Sequence, residues 1–179
     1  ETTAGVYAQY TYKPSELLTV MPGLRCDHSS RYGSFITPRL HIKYTPWKVL
    51  TLRASAGKGY RTPHALAENI NLLACGRKVE IEDKLQQEEA WNMGVSAGFT
   101  PQVGSRTLEV NIEYYYTDFI HQLLINVDGA KGAHTLMFQN LQGKSYSHTL
   151  QLDATYLFFE GFTATGAFRL NDVKCTYDG

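Results

Sequence analysis

Apolar and polar residues alternate with a period of two along most of the chain, in runs that often exceed ten residues. In SFITPRLHIKYTP, Ile36, Leu40, Ile42 and Tyr44 fall on one side and Thr37, Arg39, His41 and Lys43 on the other. In TLEVNIEYYYT, Leu108, Val110, Ile112, Tyr114 and Tyr116 oppose Glu109, Asn111, Glu113 and Tyr115. The same alternation runs through VLTLRASA, EEAWNMGVSAGFT, LQLDATY and GFTATGAFRLN. Successive strand residues point to opposite faces, so each run is a strand with one face in something apolar and the other in water. The pattern predicts about eight strands, at 3–12, 17–28, 33–45, 48–60, 88–100, 106–128, 134–158 and 162–176. Strands of soluble proteins commonly have about 5–6 residues, whereas tilted strands that cross a bilayer need about 9–11. The lengths therefore predict an all-β fold, an antiparallel up-and-down meander forming part of a transmembrane β-barrel.

The connections support this. KPSE, TPWK, the PQVGS region and FFEG are short; between them lie HSSRY, then the long segment 61–87, then the DGAKGA tip of a very long hairpin. Short turns on one side and long loops on the other are the habit of outer-membrane barrels. Tyr10, Tyr12, Tyr44, Trp47, Phe99, Tyr156, Phe158, Phe159 and Phe162 gather beside the short turns, as an interfacial girdle would.

Composition excludes other classes. With 17 Lys+Arg against 17 Asp+Glu the formal net charge is zero, so there is no electrostatic footprint for nucleic acid. Cys26, Cys75 and Cys175 are widely spaced and odd in number, which reads as free thiols rather than a zinc site or a disulfide framework. No nucleophile elbow, phosphate loop or metal-ligand cluster is present. Glu88 and Glu89 are adjacent on a strand and so face apart, which removes them as a catalytic carboxylate pair. The chain reads as no enzyme and calls for no cofactor.

The stretch GKGYRTPHALAENI at 57–70 ends a strand in a particular way. Gly57 and Gly59 let the strand end bend, Thr62-Pro63 reads as an N-cap and first helical residue, and Leu66, Ile70 and Leu73 recur at helical spacing. This predicts a short amphipathic helix over 63–74 inside a structured outer loop, 61–87.

The run PGLRCDHSSRYGSFITPRLHIKYTPWKVLTLRASAGKGYRTPHALAE resembles the barrel of TonB-dependent outer-membrane receptors, on Gly23, Arg25, Asp27, Tyr32, Gly33, Thr37, Pro38, Arg39, Tyr44, Pro46, Arg53, Ser55, Gly57, Gly59, Tyr60, Arg61, Pro63 and Glu68. QQEEAWNMGV resembles a further strand of that family without its usual proline. FQNL at 138–141 resembles the opening of a late strand, although Ser147-His148-Thr149 departs from the usual continuation. The spelling AENINLLACGRK looks like receptors of Bacteroides-type bacteria.

The resemblance implies a Gram-negative outer-membrane location and import of scarce nutrients of the iron–siderophore, haem or cobalamin type. In such receptors a barrel of about 22 strands encloses a plug. The chain would then be a partial barrel domain over 1–179, lacking the plug and the N-terminal box on which a TonB energising complex pulls. Its partners would be outer-membrane lipid, the rest of the barrel and plug of the same chain, the TonB complex and a small nutrient ligand.

By the family's logic the ligand-binding candidates lie on the outer loop: Tyr60, Arg61, His64, Asn69, Asn71 and Arg77. An arginine and amides suit carboxylate or catecholate oxygens. Arg61 with Glu68 reads equally as a tie between loop and barrel rim, and His64 as an axial haem ligand or a plain exposed loop histidine. Inward-facing Arg25, Arg39, Lys43, Arg53, Glu109, Glu113 and Asp153 would pair with one another and with the plug, or line a substrate path. Two other functions remain open on the sequence: a non-energised barrel of porin or adhesin type, and a soluble all-β binding module.

Overall fold

The computed structural model describes residues 2–73, 76, 78–82, 85–126 and 135–177. The chain forms β1 (Thr3–Gln9), β2 (Tyr12–Ser15), β3 (Leu18–Ser29), β4 (Gly33–Trp47), β5 (Leu50–Arg61), α1 (Ala65–Glu68), α2 (Ile70–Leu73), β6 (Lys78–Ile81), β7 (Glu88–Phe99), β8 (Gln102–Val103), β9 (Arg106–Ile120), β10 (Leu123–Asn126), β11 (Thr135–Asn140), β12 (Gly143–Phe159) and β13 (Phe162–Tyr177). Eight of these make one antiparallel meander in the order β1-β3-β4-β5-β7-β9-β12-β13, with β2 pairing β3 and β8 pairing β9 beside it. The wall is an open sheet whose outermost strands are β1 and β13.

Register shows why the alternation matters. Ile42 stands opposite Ala54, Ala54 opposite Val95, Val95 opposite Tyr114, Tyr114 opposite Leu150 and Leu150 opposite Leu170. One row lower, Leu52, Ala97, Ile112, Leu152 and Phe168 align in the same way. Every strand thus puts its apolar set on the same face, and the rows merge into one band. Ile36, Val95, Ile112, Leu152 and Phe168 are all exposed on it. A continuous exposed band of this kind is built for lipid, not water. Among the described residues no helix is long and apolar enough to cross a membrane, which leaves strand crossing untouched.

Aromatic clusters close both ends of the band. At the short-turn end Tyr156, Phe158, Phe159 and Phe162 pack with ring centroids 4.9–5.7 Å apart. At the other end Tyr114, Tyr116, Tyr146 and His148 pack together, with the Tyr114 hydroxyl 2.8 Å from His148 Nδ1. The second cluster escaped the sequence reading, because no short turn marks it. From Tyr146 to Phe158 the strand runs about 40 Å, or roughly 28 Å of height at a 45° tilt, close to the ~25 Å of an outer-membrane apolar band.

The opposite face is polar. Arg25 forks Asp27 with contacts of 2.7–3.0 Å, and the Asp27 carboxylate occupies the space that a Cβ on Gly5, its cross-strand partner, would need. Gly94 has a similar role: its missing side chain is the seat of the Tyr115 ring. Replacing Gly94 by valine is expected to expel that ring and destabilise the wall by about 1–3 kcal/mol, checked as a lowered urea midpoint for refolding into vesicles. Among the described residues, the ion pairs expected between one inward-facing charge and another do not form. Among the described residues Arg25 pairs only with Asp27, and no carboxylate reaches Arg39, Lys43 or Arg53. The reason lies in the register: Arg53 is opposite Ser96, and only beyond Ser96 comes Glu113.

The two long strands predicted at 106–128 and 134–158 are each broken. β9 stops at Ile120, His121 takes a left-handed φ of 54°, and β10 begins at Leu123. Histidine is one of the few non-glycine residues that enter this region readily. On the other arm β11 ends at Asn140 and β12 begins at Gly143. The upper hairpin therefore leaves the wall and makes a second sheet, in the order β10-β11-β6. The predicted helix over 63–74 is also corrected. Helix starts only after His64, whose side chain makes no capping bond, and it is interrupted at Asn69 (φ −124°, ψ 32°) between two single turns. Thr62 does not cap; its Oγ1 accepts from Gln87 Nε2 at 3.3 Å. Cys26 and Cys175 are free thiols, and Cys75 lies outside the described residues.

Candidate ligand-facing mouth

The second sheet brings together two segments far apart in sequence. β6 pairs in parallel with β11, Leu136 against Val79 and Phe138 against Ile81, while β10 pairs antiparallel on the other side. Leu136 and Phe138 are almost wholly buried, packed against Val79, Leu123 and Ile125. They form the buried hydrophobic cluster of the described chain, and it sits at the mouth, because the wall sends its apolar residues outward.

Polar contacts lock this sheet to the rim. Asn140 Oδ1 accepts from the Gln86 amide at 2.6 Å, and its Nδ2 donates to the carbonyls of His121 (2.6 Å) and Gln86 (3.3 Å). The Asn140 amide donates to Glu82 Oε2 at 3.2 Å, and the Glu82 amide to the Phe138 carbonyl at 2.9 Å. Glu88 Oε1 accepts from the Leu123 amide at 2.7 Å. Asn140 is the asparagine of FQNL, so the resemblance flagged the position while its role as a three-way tie stayed hidden.

Arg61, the last residue of β5, donates through Nε to Glu88 Oε2 at 2.5 Å and places Nη2 3.2 Å from Glu68 Oε2. Its guanidinium is held above its ordinary value, first by the hydrogen bond to Glu88, with burial opposing and the charges of Glu88 and Glu68 adding. Arg61 thus joins rim, β7 and α1 as one exposed network. Such pairs are worth about 0–1 kcal/mol each, so Arg61→Ala is expected to speed amide exchange over 64–69 about fivefold while leaving the wall unchanged, read by exchange mass spectrometry.

Among the sequence candidates, Tyr60 and Arg61 come together on a cavity of about 490 Å³, with Gly59, Glu88, Glu89, Ala90, Phe119 and Gln122. The Tyr60 ring sits edge-on to Phe35 at 4.0 Å between centroids. His64 and Asn69 instead flank the first helical turn, Asn71 stands on the second, and Arg77 lies outside the described residues. A second cavity of about 520 Å³ is lined by Arg31, Tyr32, Glu82, Leu85, Gln86, Gln87, Glu89 and His121, and Glu89 borders both. Gln122 Oε1 and the Tyr32 hydroxyl are buried and have no hydrogen-bond partner among the described residues. Glu88, Glu89, Phe119, His121 and Gln122 were missed as mouth residues, because only tertiary pairing brings the two loops together. Among the described residues no group of three or more His, Cys, Asp or Glu is placed to hold a metal.

A lipid-facing band with aromatic borders, a polar inner face and folded loops at one end only define a section of a transmembrane β-barrel wall with its outer mouth. The family model described as "TonB dependent receptor-like, beta-barrel" matches residues 1–179, and the chain belongs to that family of Gram-negative outer-membrane proteins. Among solved structures it is similar to the siderophore receptor PirA from Pseudomonas aeruginosa (TM-score 0.76, 17% identity, covering 94% of this chain and 34% of that one). It is also similar to the FrpB iron transporter from Neisseria meningitidis (0.72, 18%, 96% and 26%). The ferric enterobactin receptor PfeA from Pseudomonas aeruginosa gives 0.73 at 18% identity, over 92% of this chain and 26% of that one. No curated protein matches the chain. The chain spans about a quarter to a third of the length of these solved relatives.

Proposed function

We propose that the chain forms part of the barrel wall and the outer mouth of an energised importer of a scarce, bulky nutrient of the iron–siderophore, haem or cobalamin type. Family membership supports the import reading, and the similar structures are a siderophore receptor, an iron transporter and a ferric enterobactin receptor. The observation that carries it is the mouth itself. A passive pore needs only a rim, whereas here two outer segments fold into a sheet with its own buried cluster over cavities of about 490 and 520 Å³. In this reading Tyr60, Arg61 and Gln122 meet ligand in the first cavity. His64, Asn69 and Asn71 approach it from the loop above, and Arg77, the remaining candidate, lies outside the described residues. A plug and a TonB energising complex belong to the whole protein, and catalysis has no part.

The test is growth. A strain deleted for the gene encoding the whole protein is supplied in turn with one ferric siderophore, haem or cobalamin as limiting nutrient. Loss of growth on one of them, restored by the gene, supports import. Unchanged growth on all three would sink it.

A further inference from the structure

The lipid-facing band dips over β5. The residues that β5 turns outward there are Ala54 and Ala56, and directly opposite them stand Leu40 and Ile42 on β4 and Met93 and Val95 on β7. Leu40, Met93 and Val95 are exposed, whereas the two alanines are half-buried between them. Large side chains along both edges and bare methyl groups between them make a groove of about 380 Å³ with an almost wholly apolar lining, bounded beyond β7 by Tyr114 and Tyr116. Its two rims are two strand spacings apart, about 9–10 Å. A single hydrocarbon chain laid over the alanines would lie about 4–5 Å from each rim, at contact distance, and a second would not fit beside it. An α-helix, about 10–12 Å across with its side chains, is too wide to enter. The groove also has a polar end. The Tyr116 ring packs 5.0 Å from His148, whose Nδ1 is 2.8 Å from the Tyr114 hydroxyl. Its rows are level with His148 and Leu150, near the mouth end of the band and so at the depth of the outer leaflet. Tyrosine hydroxyls and an imidazole supply hydrogen-bond donors for the phosphate oxygens of a lipid headgroup. Each strand that lines the groove has both of its neighbours in this chain, with β3 beside β4 and β12 beside β9, and the groove opens away from the lumen.

We propose that this groove holds one acyl chain of a phosphorylated outer-leaflet lipid, with its headgroup against the Tyr114–His148 pair, as a fixed site on the outside of the barrel. It is separate from the mouth cavities and does not depend on which nutrient the mouth takes.

The test uses the intact protein, stripped of lipid in detergent and titrated with lipid A, with retained lipid counted by native mass spectrometry. Retention that Ala54 and Ala56 control is expected at one lipid per barrel. The double variant Ala54→Leu/Ala56→Leu fills the floor and is expected to weaken that retention at least tenfold, although it makes the face more apolar. Leu40→Ala/Val95→Ala lowers the rims and is expected to weaken it by a similar factor through the opposite change in volume. Ala154→Leu adds the same bulk to the same face between Val110 and Gly166, outside the groove, and is expected to leave retention unchanged. His148→Ala is expected to weaken it severalfold. Heat-modifiable gel migration confirms that each variant is a folded barrel. No retained lipid A, or equal retention by the two double variants and the parent, would overturn the proposal, and an unaltered His148→Ala would overturn the placing of the headgroup. So would a dimer that the filled variant abolishes, since the groove would then seat side chains of a second copy. The readout is lipid held by purified protein, so its failure and a failed growth test are separate results.

Discussion

Replacing Phe138 by alanine is expected to unfold the mouth while leaving the wall standing. Phe138 is fully buried and, with Leu136, makes the small cluster that joins β6, β10 and β11. Truncating a buried phenylalanine costs about 3–5 kcal/mol, and a three-stranded sheet with so small a cluster has little stability to spare. The parallel contact between β6 and β11 should be lost first, because its two strands come from different loops and their short ladder relies on this packing and on the Asn140 and Glu82 contacts. Amide exchange over 78–81 and 135–140 should quicken by two to three decades or more, with 108–116 and 148–156 still protected. Loss of protection throughout would mean that the wall depends on the mouth, contrary to the separate sheets described above. Ligand capture, measured in whole cells, should fall with the mouth if the importer reading holds.

The second large effect is on the wall. Ile112→Arg places a charge in the middle of the lipid-facing band, between Ala97 and Leu152. The expected cost is about 2–4 kcal/mol near the bilayer midplane. Asn111→Arg, one residue away, turns its charge to the lumen beside Asp153, to which Asn111 now donates at 3.0 Å, and should be tolerated within about 1 kcal/mol. Urea titration of the intact protein refolded into vesicles compares the two. Equal costs, or the reverse order, would show that the faces have been assigned the wrong way round.

How much of this was legible in the sequence depends on the range over which the physics acts. The wall was readable because side-chain direction in a strand repeats every two residues, and the medium on each side selects residue type locally. That is why 33–45, 48–60 and 88–100 read from the sequence lie within two residues of β4, β5 and β7. The long strands at 106–128 and 134–158 failed because their apolar pattern continues past His121 and Leu141. Alternation says that a segment is extended, but not which sheet it joins. The 63–74 helix failed because helical spacing at Leu66 and Ile70 had nothing to pack against: both side chains are exposed, and the segment is held by Arg61 and Glu68 instead.

Among the site candidates, Tyr60 and Arg61 were readable from the strand end and the loop that follows it. Their partners Glu88, Phe119 and Gln122 were not, since 27 or more residues separate each from Arg61. The sequence by itself determined a two-faced antiparallel wall and its crossing direction, because burial in lipid on one side and water on the other is a one-residue choice made at every position. Only the tertiary structure decided that the outer hairpin would turn away at His121 and capture β6. That choice depends on a few apolar side chains finding one another across some 57 residues of chain, and no local pattern encodes such a meeting.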